Sequence, residues 1–208
     1  EADISAQLDL SIEADGKLLY SESLPVEVLA YSEWRYDLSQ HPDALACFVQ
    51  PNAPALRSLL SDTASCLEEL TGSDALSGYQ EPKEAEWPLW MASALYRALQ
   101  SQSGLGYINP PASFEIGQKV RLPAELADAG RGTCLDLALL WCSACEAMGL
   151  HPVLIVVEGH AFQGLWVEEC CLNEPWTSDL QLLLQAVKQG LLLPINSTTF
   201  TDASSSFT

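Results

Sequence analysis

The chain has 208 residues, 48% hydrophobic and 18% charged, a size and balance that suit one main folded core and argue against wholesale disorder. Nine Lys and Arg stand against 28 Asp and Glu, a formal net charge of -19 that makes a phosphate backbone or an anionic lipid surface a poor partner. No run approaches the roughly 18 apolar residues of a membrane span and no basic-then-apolar leader opens the chain, so neither direct nucleic-acid binding nor membrane insertion is expected. The start at Glu1 reads as a processed or excised piece. Seven cysteines, an odd number without a regular framework, suggest reduced thiols and a cytoplasmic protein.

Ile4, Ala6, Leu8, Leu10 and Ile12 alternate with polar residues, "ADGK" turns the chain, and "LPVEVLA" resumes an extended pattern, so residues 1–35 are expected to form a β-rich portion. From Pro54 the period becomes helical, with Leu56, Leu59, Leu60, Leu67 and Leu70 on one face and Gly72 as the stop. Trp87, Trp90, Met91, Ala94, Leu95, Ala98 and Leu99 mark a second helix whose apolar stripe reads as core. "INPPASFEIGQKVRLP" carries too many breakers for regular structure and is expected to be a long ordered loop beside a site. A helix over 133–149 follows, then two extended runs, 153–157 and 160–167, joined at Glu158-Gly159 as an antiparallel pair. "TSDLQLLLQAVKQG" predicts a capped helix ending at Gly190, and "LLLPINSTTF" a further strand with Pro194 near an edge. The tail "TDASSSFT" is expected to fray or to link to something further on.

The chemistry concentrates in "RGTCLDLALLWCSACEAMGL". Thr133 followed three residues later by Asp136 is a capping-box pattern that makes Cys134 the first helical residue, where the helix dipole and free N–H groups favour a thiolate. Lys119, Arg121 and Arg131 precede it closely, and Gly130 and Gly132 would let a substrate backbone approach. The bland alternative for Cys134 is a buried small hydrophobe. Cys142 and Cys145 have C-x-x-C spacing, but in mid-helix they read as packing residues; zinc would need Cys170 and Cys171 as a second pair, and no metal or other cofactor is expected.

A nucleophilic thiol needs a base. His41 precedes a proline in a loop, His151 ends the helix, and His160 opens a strand where its ring is expected to face the helix N-terminus; its bland alternative is a satisfied edge histidine. The group orienting the imidazole should come from the next strand, which points to Asn196, with Asp179 and Glu168 as weaker alternatives. Gln118 is the candidate side-chain donor of an oxyanion hole, with the Cys134 N–H as the other donor; a loop glutamine holding backbone groups is the alternative.

The block "GTCLDLALLWCSACEAMGLHPVLIVVEGHAFQGLWV" resembles the core of the transglutaminase-like superfamily, and "LPINST" falls where that superfamily usually reads valine, Asp, Pro, Thr. The resemblance covers roughly residues 110–200 and implies a papain-like α+β fold with Cys134 as nucleophile, His160 as base and Asn196, in place of the usual Asp, as orienter. "FVQPN", "SGYQ", "INPPASFEIGQKVRLP" and "GTCLDLALL" further resemble the transglutaminase-like region near the N-terminus of very long bacterial proteins that carry a superfamily 1 DNA helicase and a nuclease-like domain, some associated with phage defence. That resemblance implies one module of a larger machine, with residues 36–208 forming a transglutaminase-like cysteine protease domain. Peptide-bond hydrolysis on a protein or peptide substrate is the leading expectation. A non-catalytic binding module regulating an attached enzyme is the rival, and cross-linking or deamidation of glutamine side chains the third reading.

Overall fold

The structure, a computed structural model, describes residues 4–35, 42–80, 86–101, 105–109, 117–170, 172–202 and 204–207. It is an α+β protein built from several small sheets and a helical layer. His41 and Cys171, and residues 110–116 of the long loop, lie outside the described residues.

Strands β1 (Ile4–Ala14) and β2 (Lys17–Val28) form an antiparallel hairpin turned at Asp15 and Gly16, both at positive φ. Alternation sets Ile4, Ala6, Leu8, Leu10 and Ile12 opposite Val28, Val26, Leu24, Glu22 and Tyr20, one largely apolar face. Most of that face lies in solvent, with Ile4 and Ile12 more than half exposed. A short strand, β3 (Glu33–Arg35), and a 3-10 turn over Pro42–Phe48 lead into the body.

The helix expected from Pro54 runs as α1 (Leu56–Thr71), buries Leu56, Leu59, Thr63 and Leu67, and stops at Gly72 in the left-handed region. α2 (Trp87–Ser101) packs beside it through Met91, Leu95 and Leu99. Two-residue strand β4 (Gly106–Tyr107) and β5 (Gly117–Lys119) follow, then α3 (Pro123–Ala129), β6 (Arg131–Gly132) and α4 (Cys134–Ala147). The stretch read as one irregular loop therefore contains a strand, β5, that pairs antiparallel with β3. α3 follows it, started by Pro123 and by Glu125, whose carboxylate accepts the Leu122 N–H at 3.1 Å.

α4 is the centre of the body: every residue from Cys134 to Cys145 is buried. A helix apolar on all sides needs cover on all sides. One side meets α1 and α2; another meets a three-stranded antiparallel sheet in the order β7 (Pro152–Val157), β8 (His160–Trp166), β9 (Leu192–Ile195). Glu158 and Gly159, the latter at φ 74, form the tight β7–β8 turn. Ala161 and Leu165 share buried clusters with α4, whereas Trp166 packs on the other side with Ala186 of α5 (Leu180–Lys188) and with Leu192. Asp179 caps α5 by accepting the Gln181 and Leu182 N–H groups, a structural use for one alternative orienter.

The tail is docked, contrary to the fraying expected of a Ser-rich end. Phe200 is 1% exposed, stacked on Trp141 with centroids 6.1 Å apart and edge-on to Tyr96 at 6.0 Å, and Phe207 also meets Tyr96, tilted, at 5.5 Å. Gln100 ties the backbone down by donating to the carbonyls of Asp202 and Ser205, each at 2.8 Å. Two aromatic anchors outweigh the polar serines between them, because each removes a large apolar area from water.

Candidate functional site

Thr133 caps α4 as its pattern predicts. Its Oγ1 accepts the Asp136 N–H at 3.3 Å, and Asp136 Oδ2 accepts the Thr133 N–H at 2.9 Å. Asp136 is fully buried and does more than close this box: Oδ1 takes the Arg121 backbone N–H at 2.8 Å and Oδ2 the Arg121 guanidinium at 3.1 Å. The carboxylate thereby fastens the segment after β5 to the first turn of α4. Arg121 is thus committed to Asp136, while Lys119 and Arg131 are exposed. The two glycines before the helix also have structural uses. Gly130 closes α3 at φ 64, and a Cβ on Gly132 would meet Leu126 Cδ1 at 2.7 Å and Asp136 Cβ at 3.0 Å. Gly130 thus turns the chain out of α3, and Gly132 lets β6 and α4 pack closely.

Cys134 opens the helix at 5% exposure, in a cluster with Trp34, Val120, Leu135 and Ala161. Both sequence readings of this thiol, a residue at a helix N-terminus and a buried small side chain, describe its position. Pairing of β3 with β5 sets Gln118 opposite Trp34, and the buried Gln118 amide donates from Nε2 to Thr133 Oγ1 at 3.2 Å. An amide donor thus sits one residue from Cys134, beside the free N–H groups that begin a helix.

Two neighbours of the thiol escaped the sequence reading. Parallel pairing of β4 with β6 sets Tyr107 alongside Gly132, and the Ile108 N–H donates to the Gly132 carbonyl at 2.9 Å. Burial, and after it the charge of a nearby Cys134 thiolate, push the Tyr107 phenol up from its ordinary range. On the opposite flank, the buried Ser197 hydroxyl donates to the Cys134 carbonyl at 3.4 Å, tying the end of β9 to the start of α4. Neither contact has a local sequence signal, because 25 residues separate Tyr107 from Gly132 and 63 separate Ser197 from Cys134.

The backbone therefore brings Cys134, His160 and Asn196 to one end of the layer, since Ala161 shares the Cys134 cluster and Ser197 touches its carbonyl. The side chains are not joined. Strand alternation puts Ala161, Gln163 and Leu165 toward α4 and His160, Phe162 and Trp166 toward the other face. His160 lies flat against Phe162, centroids 5.9 Å apart and planes at 20°, with no hydrogen bond among the described residues. The ring expected to face the helix N-terminus thus packs along its own strand, as residue i beside i+2. Asn196 is exposed, and its Oδ1 accepts the backbone N–H of Thr198 at 3.1 Å and the Thr198 hydroxyl at 3.0 Å. That local turn is a competing use that asparagine and aspartate readily adopt. Glu168 lies exposed just beyond β8.

On the inner face of β8, fully buried Gln163 has neither amide atom hydrogen-bonded among the described residues. Further along α4, burial pushes the Cys142 and Cys145 thiols far up, with Glu146 adding in the same direction. They behave as packing residues. Among the described residues no group of three or more His, Cys, Asp or Glu side chains gathers as a metal site. His151 caps nothing catalytic: its ring meets Tyr79 at 5.1 Å, and its Nδ1 lies 3.2 Å from the Cys170 carbonyl. No helix among the described residues is long and apolar enough to cross a membrane. In comparisons with protein-family models, curated proteins and solved structures, nothing matches this chain.

Proposed function

We propose that the chain is a transglutaminase-like module of papain-like architecture that performs thiol-dependent acyl transfer on peptide amides, hydrolysis first among them, with Cys134 as nucleophile. The observation that carries this reading is the first turn of α4: Cys134 stands at the capped N-terminus with the Gln118 amide donating to the adjacent Thr133. In the proposed reaction the thiolate attacks the amide carbonyl, and the oxyanion is held by the Cys134 N–H and Gln118. His160 protonates the departing amine, and water then releases the acyl group and regenerates the thiol. This assigns His160 a working position off the Phe162 ring, with Asn196 turned from Thr198 to orient it. The geometry described above is then a resting arrangement. Cleavage of an internally quenched peptide library tests the reading. Cys134→Ala and His160→Ala should each lose at least about a hundredfold in turnover, and turnover by Cys134→Ala at the wild-type level would contradict it.

A second reading is favoured by the same resting geometry. With Cys134 buried, His160 stacked and Asn196 engaged locally, the module would bind a polypeptide and regulate enzymes joined to it. The sequence resemblance suggests a cytoplasmic bacterial protein carrying helicase and nuclease domains, with phage defence as the setting. This reading predicts that Cys134→Ala leaves function intact, whereas substitutions on the loop 109–123 do not. Amine incorporation into a glutamine-rich acceptor would instead mark the cross-linking variant of the same thiol chemistry.

A further inference from the structure

A cavity of about 650 Å³ lies away from Cys134, which is not among its lining residues. It runs along β7, touching five consecutive strand residues from Pro152 to Val156, between the 3-10 turn over Pro42–Phe48 and the loop before α5. β7 is an edge strand, since the sheet order is β7-β8-β9. A two-residue turn makes Val157 and His160 a hydrogen-bonded pair, so Ile155 and Val153 also bond inward to β8. The N–H and C=O groups of Leu154 and Val156 then face outward into the cavity, and among the described residues no hydrogen bond reaches them.

An open strand edge beside a groove is a template for an added strand, and proteins normally blunt or cover such edges. The groove also has a sign. Asp43, Glu146 and Glu174 line it, with no Lys or Arg among its described lining residues. Trp176, 45% exposed, stands at its wall as an aromatic face for a cation. We infer that this groove binds an extended polypeptide segment bearing lysine or arginine, which adds to β7 as a fourth strand with its basic side chains directed at Asp43, Glu146 and Glu174. Main-chain hydrogen bonds to Leu154 and Val156 supply register, and the acidic walls select the side chains. Burial already pushes the Glu146 carboxyl up, opposed by His151, so an arriving cation would favour its charged form. The inference rests on the groove alone and holds whether or not Cys134 turns over substrate.

The test uses the 208-residue chain and a labelled, terminally blocked heptapeptide of valine and lysine with lysine on both faces of the strand, with binding read by fluorescence anisotropy at about 0.15 M salt to screen diffuse attraction. A second peptide, N-methylated on alternate residues along the hydrogen-bonding edge, has the same charge but cannot pair with β7. It should bind about tenfold more weakly, the equivalent of one or two lost hydrogen bonds. The Glu146→Gln/Glu174→Gln protein should lose about fivefold or more, while Asp9→Asn/Glu13→Gln in the exposed hairpin, which removes the same charge elsewhere, should change affinity less than about twofold. Equal binding of both peptides, equal losses from groove and hairpin variants, or no binding of the lysine peptide would each overturn the inference.

Discussion

Three thiols on α4 occupy two environments, one at the start of the helix and one two to three turns later. Cys134 lies where the chain crosses from β6 into the helix, among the Thr133–Asp136 cap, Arg121, Gln118 and Tyr107. Cys142 and Cys145 lie buried in the middle of α4, and burial pushes both thiols far up. Residue type and near-complete burial are common to all three. The difference is the supply of polar partners, which follows from the unpaired N–H groups of a helix N-terminus and from the loops those groups recruit.

The largest effect that would sharpen this contrast is at the cap. Asp136→Asn removes the buried charge facing Arg121 and weakens two of the bonds holding the helix start, and it should destabilise the fold by about 2 kcal/mol in chemical denaturation. No loss of stability would mean that the polar shell around Cys134 is decoration. Next comes the same substitution at both ends. Cys145→Ser buries a hydroxyl in an apolar cluster, where its one ready partner is the carbonyl a turn back, the bond Ser143 makes to Leu139 at 2.7 Å. It should cost about 1–2 kcal/mol. Cys134→Ser, with polar groups beside it, should cost less than about 1 kcal/mol. Equal costs would erase the distinction.

The contrast also shows in alkaline solution. A folded-state pKa raised above its unfolded value contributes stability that is fully present below the unfolded value and is lost as pH rises. For Cys142 and Cys145 the loss begins near pH 9.0, and Tyr79, pushed up to about 12 by burial, adds to it between 10.0 and about 12. Unfolding midpoints should hold from neutral to about pH 9 and then fall. A Cys142→Ala/Cys145→Ala protein should fall less steeply.

Local chemistry was legible in the sequence and long-range chemistry was not. Thr133 and Asp136, three residues apart, announce the cap; the leucines of α1 announce their buried face; Glu158-Gly159 announces the β7–β8 turn. The approach of Tyr107, the tie from Ser197 to Cys134 and the β3–β5 pairing depend on chain segments that no short pattern connects. The tail misled because composition counts serines, while its docking depends on Phe200 and Phe207. His160 was placed correctly along the chain, but the facing of its ring is set by the one-residue phase of β8, which a sequence pattern of mixed apolar residues does not specify.

Whether Cys134 is the working thiol of this helix, as proposed, is decided by the modification rates of the cysteines. A peptidyl vinyl sulfone at neutral pH, applied to a Cys47→Ser protein so that this exposed thiol does not compete, would be followed by intact mass and peptide mapping. One adduct is expected, on Cys134, formed at least about a hundredfold faster than any on Cys142 or Cys145. A folded protein that leaves Cys134 unmodified, or modifies all three at one rate only as it unfolds, would contradict it.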